Sequence, residues 1–162
     1  GGAVPDGANV GVTFLLGSAG EGGLQQTLAS TLQINTTYTL TVEVGNITND
    51  PNPPHNAFDF SGFPGYRIDL MAGGTVLDSD NNSLTIGEGL YATTTVTFTT
   101  GLSHLNTGEN LGIRLVNLNG VGIEVNFDNV RLDASPVPEP STSLYMLLSL
   151  TAFTLRRKRK IS

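Results

Sequence analysis

Apolar and polar residues alternate with a period of two along most of the chain, the pattern of strands with one buried face. Val10, Val12, Phe14 and Leu16 share one parity. Leu32 and Ile34 lead into Tyr38, Leu40, Val42 and Val44, with Thr37, Thr39, Thr41 and Glu43 between them. Tyr66, Ile68 and Leu70 alternate with Arg67 and Asp69, and Ala92, Thr94, Val96 and Phe98 with Thr93, Thr95, Thr97 and Thr99. Ile113 and Leu115 run into Asn117-Leu118-Asn119-Gly120, where Asn-Gly is a hairpin signal. Ile123, Val125 and Phe127 form the next strand, after which the apolar positions become even at Val130 and Leu132. One extra residue at Asp128-Asn129, a β-bulge, accounts for that switch. Strands with one apolar face each pack as two sheets, so the expected fold is all-β, a two-sheet, jelly-roll-like sandwich. The segment Asn46 to Pro64 reads as a long loop and Asp78-Ser79-Asp80-Asn81-Asn82-Ser83 as a polar turn.

Composition agrees. Of 162 residues 20 are Gly, charged residues make up 14% and Trp is absent, while Thr and Asn recur at strand and turn positions. Up to Asp133 only Arg67, Arg114 and Arg131 are basic, against thirteen acidic residues. Such a body repels phosphate backbones, which excludes a nucleic-acid partner. With no cysteine there is no disulfide, thiolate metal site or Cys nucleophile. The chain opens Gly1-Gly2 with neither an initiator Met nor a leader, so the expectation is a domain lacking its N-terminal strand.

The last residues differ from the rest. Ser135-Pro136-Val137-Pro138-Glu139-Pro140 is Pro-rich and reads as a linker outside any sheet. An uncharged run follows from Ser141 to Leu155, then Arg156, Arg157, Lys158, Arg159 and Lys160. Fifteen helical residues extend about 22 Å, short of a ~30 Å bilayer core. The basic block nevertheless fits a stop-transfer end obeying the positive-inside rule. The expected organisation is a β-sandwich over 1–134, a linker over 135–143, and a short transmembrane helix with its basic end over 144–160.

Pro138-Glu139-Pro140, the apolar run and the basic end together resemble the PEP-CTERM sorting signal, over roughly residues 136–160. The resemblance implies an exosortase, a membrane transpeptidase-like enzyme, as partner. It implies Pro138, Glu139 and Pro140 as the motif recognised and Arg156 to Lys160 as the stop-transfer block. It further implies an inner-membrane precursor of a Gram-negative bacterium that ends at the cell surface or outside the cell. Phe63-Pro64-Gly65-Tyr66-Arg67-Ile68-Asp69-Leu70 and Val125-Asn126-Phe127-Asp128-Asn129-Val130-Arg131-Leu132 resemble jelly-roll domains similar to carbohydrate-binding modules.

Candidate sites are few. Phe58, Phe60, Phe63 and Tyr66 could form a stacking surface for a sugar ring with Arg67 as a hydroxyl partner; equally, they could fill the sandwich edge. Asp128 and Asn129, at the inferred bulge, offer hard oxygen ligands for a structural calcium. The plainer reading is that they bond backbone groups freed by the bulge, because calcium takes about six ligands. No other cofactor is expected. Asp78 to Asn82 begins like an EF-hand loop, but Ser83 replaces the Gly and Gly89 the bidentate Glu. His55 and His104 have no partner at metal or triad spacing, and neither a nucleophile elbow nor paired carboxylates stand out. The expectation is a non-enzymatic, sorted surface or matrix protein whose body binds extracellular polysaccharide. A ligand-free matrix scaffold is the alternative, and an ice-binding surface built on the Thr93 to Thr100 hydroxyl row a more distant one.

Overall fold

The structure is a computed structural model and describes residues 4–17, 20–52, 57–120 and 122–138. Eight strands form two four-stranded antiparallel sheets. They are β1 (Gly11–Phe14), β2 (Gly22–Thr31), β3 (Thr36–Gly45), β4 (Tyr66–Ala72), β5 (Thr75–Asn81), β6 (Tyr91–Thr99), β7 (Asn110–Asn117) and β8 (Glu124–Pro136). The first sheet has the order β1-β8-β3-β6 and the second β2-β7-β4-β5. The all-β sandwich is therefore as expected, and no helix occurs among the described residues.

The core lies where the alternation put it for five strands. Tyr38, Leu40, Val42 and Val44 of β3, Val96 of β6, and Val125 and Phe127 of β8 are buried from the first sheet. They meet Tyr66, Ile68, Leu70 and Ala72 of β4 and Leu111, Ile113 and Leu115 of β7. Full burial of each large side chain contributes about 1.5–3 kcal/mol. Tyr66 is buried with its hydroxyl donating to Asp80 Oδ2 at 2.5 Å, and Thr94 Oγ1 also bonds that oxygen. A buried phenol needs such a partner.

The expected bulge is present. Glu43 pairs with Asp128 but Thr41 with Arg131, so three residues of β8 oppose two of β3. Asn129 takes up the extra length at φ 48°, a left-handed conformation that Asn tolerates.

Three expectations change. Asn119-Gly120 turns the chain, with Asn119 at φ 52°, but it links β7 in one sheet to β8 in the other, so it is an arch and no hairpin. The β4–β5 hairpin turns instead at Gly73-Gly74, both with positive φ as a primed turn requires. Asp78 to Asn81 belong to strand β5, an edge strand on which Asp78, Ser79 and Asn81 face solvent while Asp80 turns inward to Tyr66 and Thr94. Ser135 and Pro136 complete β8 opposite Thr37 and Thr36, and the Val137 N–H beyond them still donates to Asn35 O at 2.7 Å. The tail assigned to a transmembrane helix lies outside the described residues, among which no helix is long and apolar enough to cross a membrane.

Candidate active site on the outer face of the first sheet

Strand β8 carries opposite chemistry on its two faces. Val125 and Phe127 point into the core, so Glu124, Asn126 and Asp128 point away from it. An outward polar row on a sheet is ordinarily wet, yet each of these three is only 8% exposed. Something covers them, and the strand register identifies it.

On one side β1 pairs Val12 with Asn126 and Phe14 with Glu124, so both apolar residues stand on this outer face. Phe14 packs edge-on against Phe58, with centroids 5.2 Å apart, and lies 6.1 Å from Phe60. The 46–64 loop thus leans its aromatics over β1. On the other side Gly45 of β3 pairs with both Asn126 and Tyr91. A Cβ on Gly45 would lie 2.4 Å from the Tyr91 ring, so the ring lies across β3 where only glycine leaves room. Gly45 is not among the residues with positive φ, so this contact alone requires glycine.

The result is a row of polar groups floored by β8 and walled by Val12, Phe14, Phe58, Phe60 and Tyr91. Burial pushes the Glu124 carboxyl above the usual carboxylate range, and a hydrogen bond from the Asn126 amide only partly opposes this. Burial likewise raises the Tyr91 phenol; Asn126 opposes the rise, while the negative charges of Asp128 and Glu124 add to it. Asp128 accepts the backbone N–H of Asp6 at Oδ2 (2.9 Å) and of Asn129 at Oδ1 (2.7 Å). Glu43, opposite Asp128 in register, accepts the Thr93 hydroxyl at 2.6 Å. A carboxyl group held towards its neutral form beside aromatic rings is an arrangement suited to giving up a proton to an apolar molecule.

The residues singled out from sequence divide between this face and the core. Phe58 (46% exposed) and Phe60 stand on the aromatic wall. Phe63 packs against the core beside Tyr66, which is fully buried. Arg67 is on the outer face of the second sheet, where it and Arg114 bond the buried Asp69, and Arg67 also pairs with Glu21. Those five residues therefore form no single surface. Asp128 bonds backbone as the plainer reading had it, and no group of three or more His, Cys, Asp or Glu that could hold a metal occurs among the described residues. Thr93, Thr95, Thr97 and Thr99 pair with Glu43, Thr41, Thr39 and Thr37, a hydroxyl field running on from the site. His104 packs on Phe98 and accepts the Asn106 N–H; His55 lies outside the described residues. Pro138 is the last described residue, so Glu139, Pro140 and Arg156 to Lys160 lie outside them.

Comparison with known proteins bears on what such a face does. A profile of the HpiC1-like family, described as HpiC1 cyclase, matches residues 1–133. A Stig cyclase, Fisc, from Fischerella sp. TAU, solved in complex with (3Z)-3-(1-methyl-2-pyrrolidinylidene)-3H-indole, is 46% identical with a TM-score of 0.75, covering 83% of this chain and 67% of that one. A Fischerella sp. TAU cyclase in complex with 4-(1H-indol-3-yl)butan-2-one is 46% identical (TM-score 0.74; 83% and 68% covered). An apo cyclase from Fischerella sp. is also 46% identical (TM-score 0.77; 83% and 66% covered). The chain thus spans about two thirds of the length of these structures. No curated protein matches it.

These matches overturn the reading as a sorted surface protein. The PEP-CTERM resemblance rested on about 25 terminal residues, whereas the cyclase match covers the whole sandwich. The exosortase and polysaccharide partners, the inner-membrane and cell-surface destination, the scaffold and ice-binding alternatives, and the expectation of no enzymatic activity all depended on it or on reading the body as a sugar-binding module. They are corrected accordingly: the chain belongs to the HpiC1-like cyclase family.

Proposed function

We propose that this protein is an acid-initiated cyclase acting on a small, largely apolar molecule that carries an indole ring. The observation that carries the reading is Glu124, a carboxyl group buried on the outer face of the first sheet, raised in pKa by that burial, and faced by Phe14. The two ligand-bound Fischerella cyclases hold an indole and a 3H-indole, which supports the substrate class. Phe14, Phe58 and Phe60 offer ring faces and edges to a flat substrate and to positive charge that develops on it.

The chemistry balances without an oxidant or reductant. The Glu124 carboxyl gives its proton to a basic or π-bonded atom of the substrate, leaving a cation. A π bond of the same molecule attacks that cation and closes a ring through one new C–C bond. A proton then returns from the ring system to the Glu124 carboxylate, and the product is an isomer of the substrate. Asp128, two positions from Asn126 on the same face, sets a negative charge near the cation. Incubation of an indole-bearing alkene with the wild-type chain should yield a product of unchanged mass and new retention on chromatography. No isomerisation of any such substrate would remove the reading.

For calcium at Asp128 and Asn129 one observation speaks: Asn129 Oδ1 is buried without a hydrogen-bond partner, an oxygen that a hard cation would take. From that site we expect calcium to raise the midpoint of thermal unfolding, and Asn129→Ala to abolish the rise. A midpoint that calcium leaves unchanged removes the site.

A further inference from the structure

The outer face of the second sheet, across the sandwich from Glu124, gathers the basic residues of the body. Up to Asp133 the chain has three of them, Arg67, Arg114 and Arg131, against thirteen acidic residues. Two of the three meet here. Ile68 and Leu70 of β4 and Ile113 and Leu115 of β7 point into the core, so Arg67, Asp69, Arg114 and Val116 stand on the outside. The register sets Asp69 opposite Arg114, and Val116 between Arg67 and Gly23 of β2. The Asp69 side chain, 1% exposed, accepts from Arg114 Nε and Nη2, each at 2.7 Å, and from Arg67 Nε at 3.3 Å.

One arginine neutralises a buried carboxylate, and Arg114 does so through two short bonds. Arg67 is the surplus cation. Its contact with Asp69 is the longer one, and its Nη1 turns outward to Glu21 Oε2 at 2.9 Å. Glu21 is half exposed, and an ion pair so open to water is favoured over its separated form by only about twofold to fivefold. Beside the pair lies a recess of about 240 Å³, lined by Glu21, Gln25, Arg67, Arg114 and Val116. Gly23 keeps it open. A Cβ there would run into Leu115 O, so β2 brings no side chain over Val116 at this point.

We propose that this recess binds a small carboxylate, seated between Arg67 and Arg114 in the place that Glu21 takes in the empty protein. Guanidinium groups match planar, two-oxygen anions, and the Glu21 carboxylate already meets Arg67 from this side. Charge selects a monoanion. With Glu21 swung out, the two guanidinium groups face Asp69 alone, an excess of one positive charge that a carboxylate cancels and a phosphate dianion overfills. Size selects a small one, because sites for drug-sized ligands span about 300–1,000 Å³. Val116 and the partly exposed Leu24 offer apolar contact to the rest of the ligand. Glu21 is then a built-in competitor for the site. No residue of the recess belongs to the Glu124 face, so the site does not depend on the cyclase reading.

The test measures dissociation constants of benzoate, its neutral counterpart benzamide and inorganic phosphate on the whole chain. The wild type should bind benzoate at least about tenfold more tightly than benzamide, the effect of a hydrogen bond to a charged group. Glu21→Gln removes the competitor and should tighten benzoate by about twofold to fivefold. Arg67→Gln should lose the preference for benzoate over benzamide, while Arg114 still satisfies Asp69. Glu21 is a surface residue, so its variant reads the site even where Arg67→Gln does not fold. Saturating benzoate should leave the affinity for 4-(1H-indol-3-yl)butan-2-one unchanged. Benzoate bound no more tightly than benzamide, or unaffected by Glu21→Gln, would overturn the proposal. So would phosphate bound more tightly than benzoate, a preference that survives in folded Arg67→Gln, or displacement of the indole ketone. Each of these results leaves the cyclase reading standing.

Discussion

Glu124→Gln is expected to lower cyclisation by about 10²- to 10⁴-fold, the range lost when a general acid is removed, while the sandwich stays folded. Gln keeps the volume and hydrogen-bonding capacity of the side chain and lacks only the transferable proton. Stability should respond in the opposite sense. The folded protein holds the Glu124 proton more tightly than the unfolded chain, whose value is near the ordinary 4.5. The stabilisation from this group is therefore complete below that value and is lost as pH rises through the raised folded value. Gln cannot ionise, so the difference in unfolding midpoint between variant and wild type should grow in favour of the variant from acid to neutral pH. Product analysis and thermal melts on the same samples check both halves. A variant that keeps wild-type turnover would remove Glu124 as the acid.

Phe127→Ala is expected to do the reverse, at a cost of about 3–5 kcal/mol in stability. Phe127 lies next to Asn126 and Asp128 in sequence but points the other way, 2% exposed within the core among the residues of β3, β4 and β7. Removing the ring leaves a cavity in the layer between the sheets, which close packing cannot fully collapse. Below its lowered midpoint the variant should still bind 4-(1H-indol-3-yl)butan-2-one, because the outer face loses no contacting group. Chemical denaturation and probe binding, measured together, separate the faces of β8: odd positions 125 and 127 for the fold, even positions 124, 126 and 128 for the chemistry.

That division explains what could be read from the sequence. Alternation located β3, β4, β6, β7 and β8, and the parity change at Asp128-Asn129 located the bulge. Strand β2 escaped because Gly22 to Thr31 is an exposed edge with no alternating apolar face. Strand β5 escaped because Asp78-Ser79-Asp80 has turn composition, although one side of it pairs with β4. The candidate site escaped for a subtler reason. In β1 the apolar parity of Val12 and Phe14 looks outward and Thr13 inward, the reverse of every core strand, so the rule that apolar faces make the core assigned Val12 and Phe14 to the interior. A signal was present in Glu124, Asn126 and Asp128, three polar residues of one parity directly opposite a strand of outward apolar ones. Their burial, however, depends on cross-strand neighbours from β1 and β6, distant in sequence. Function was misassigned because a compact terminal pattern outweighed a body whose chemistry appears only once the strands are paired.

The central claim is that the outer face of the first sheet holds the substrate. The most direct measurement is a crystal structure of the chain with 4-(1H-indol-3-yl)butan-2-one. The account predicts the indole against Phe14, Phe58 and Tyr91, with its side chain towards Glu124. The ligand lodged instead on the second sheet, in the recess of about 240 Å³ between Glu21, Arg67 and Arg114, with the Glu124 face empty, would contradict it.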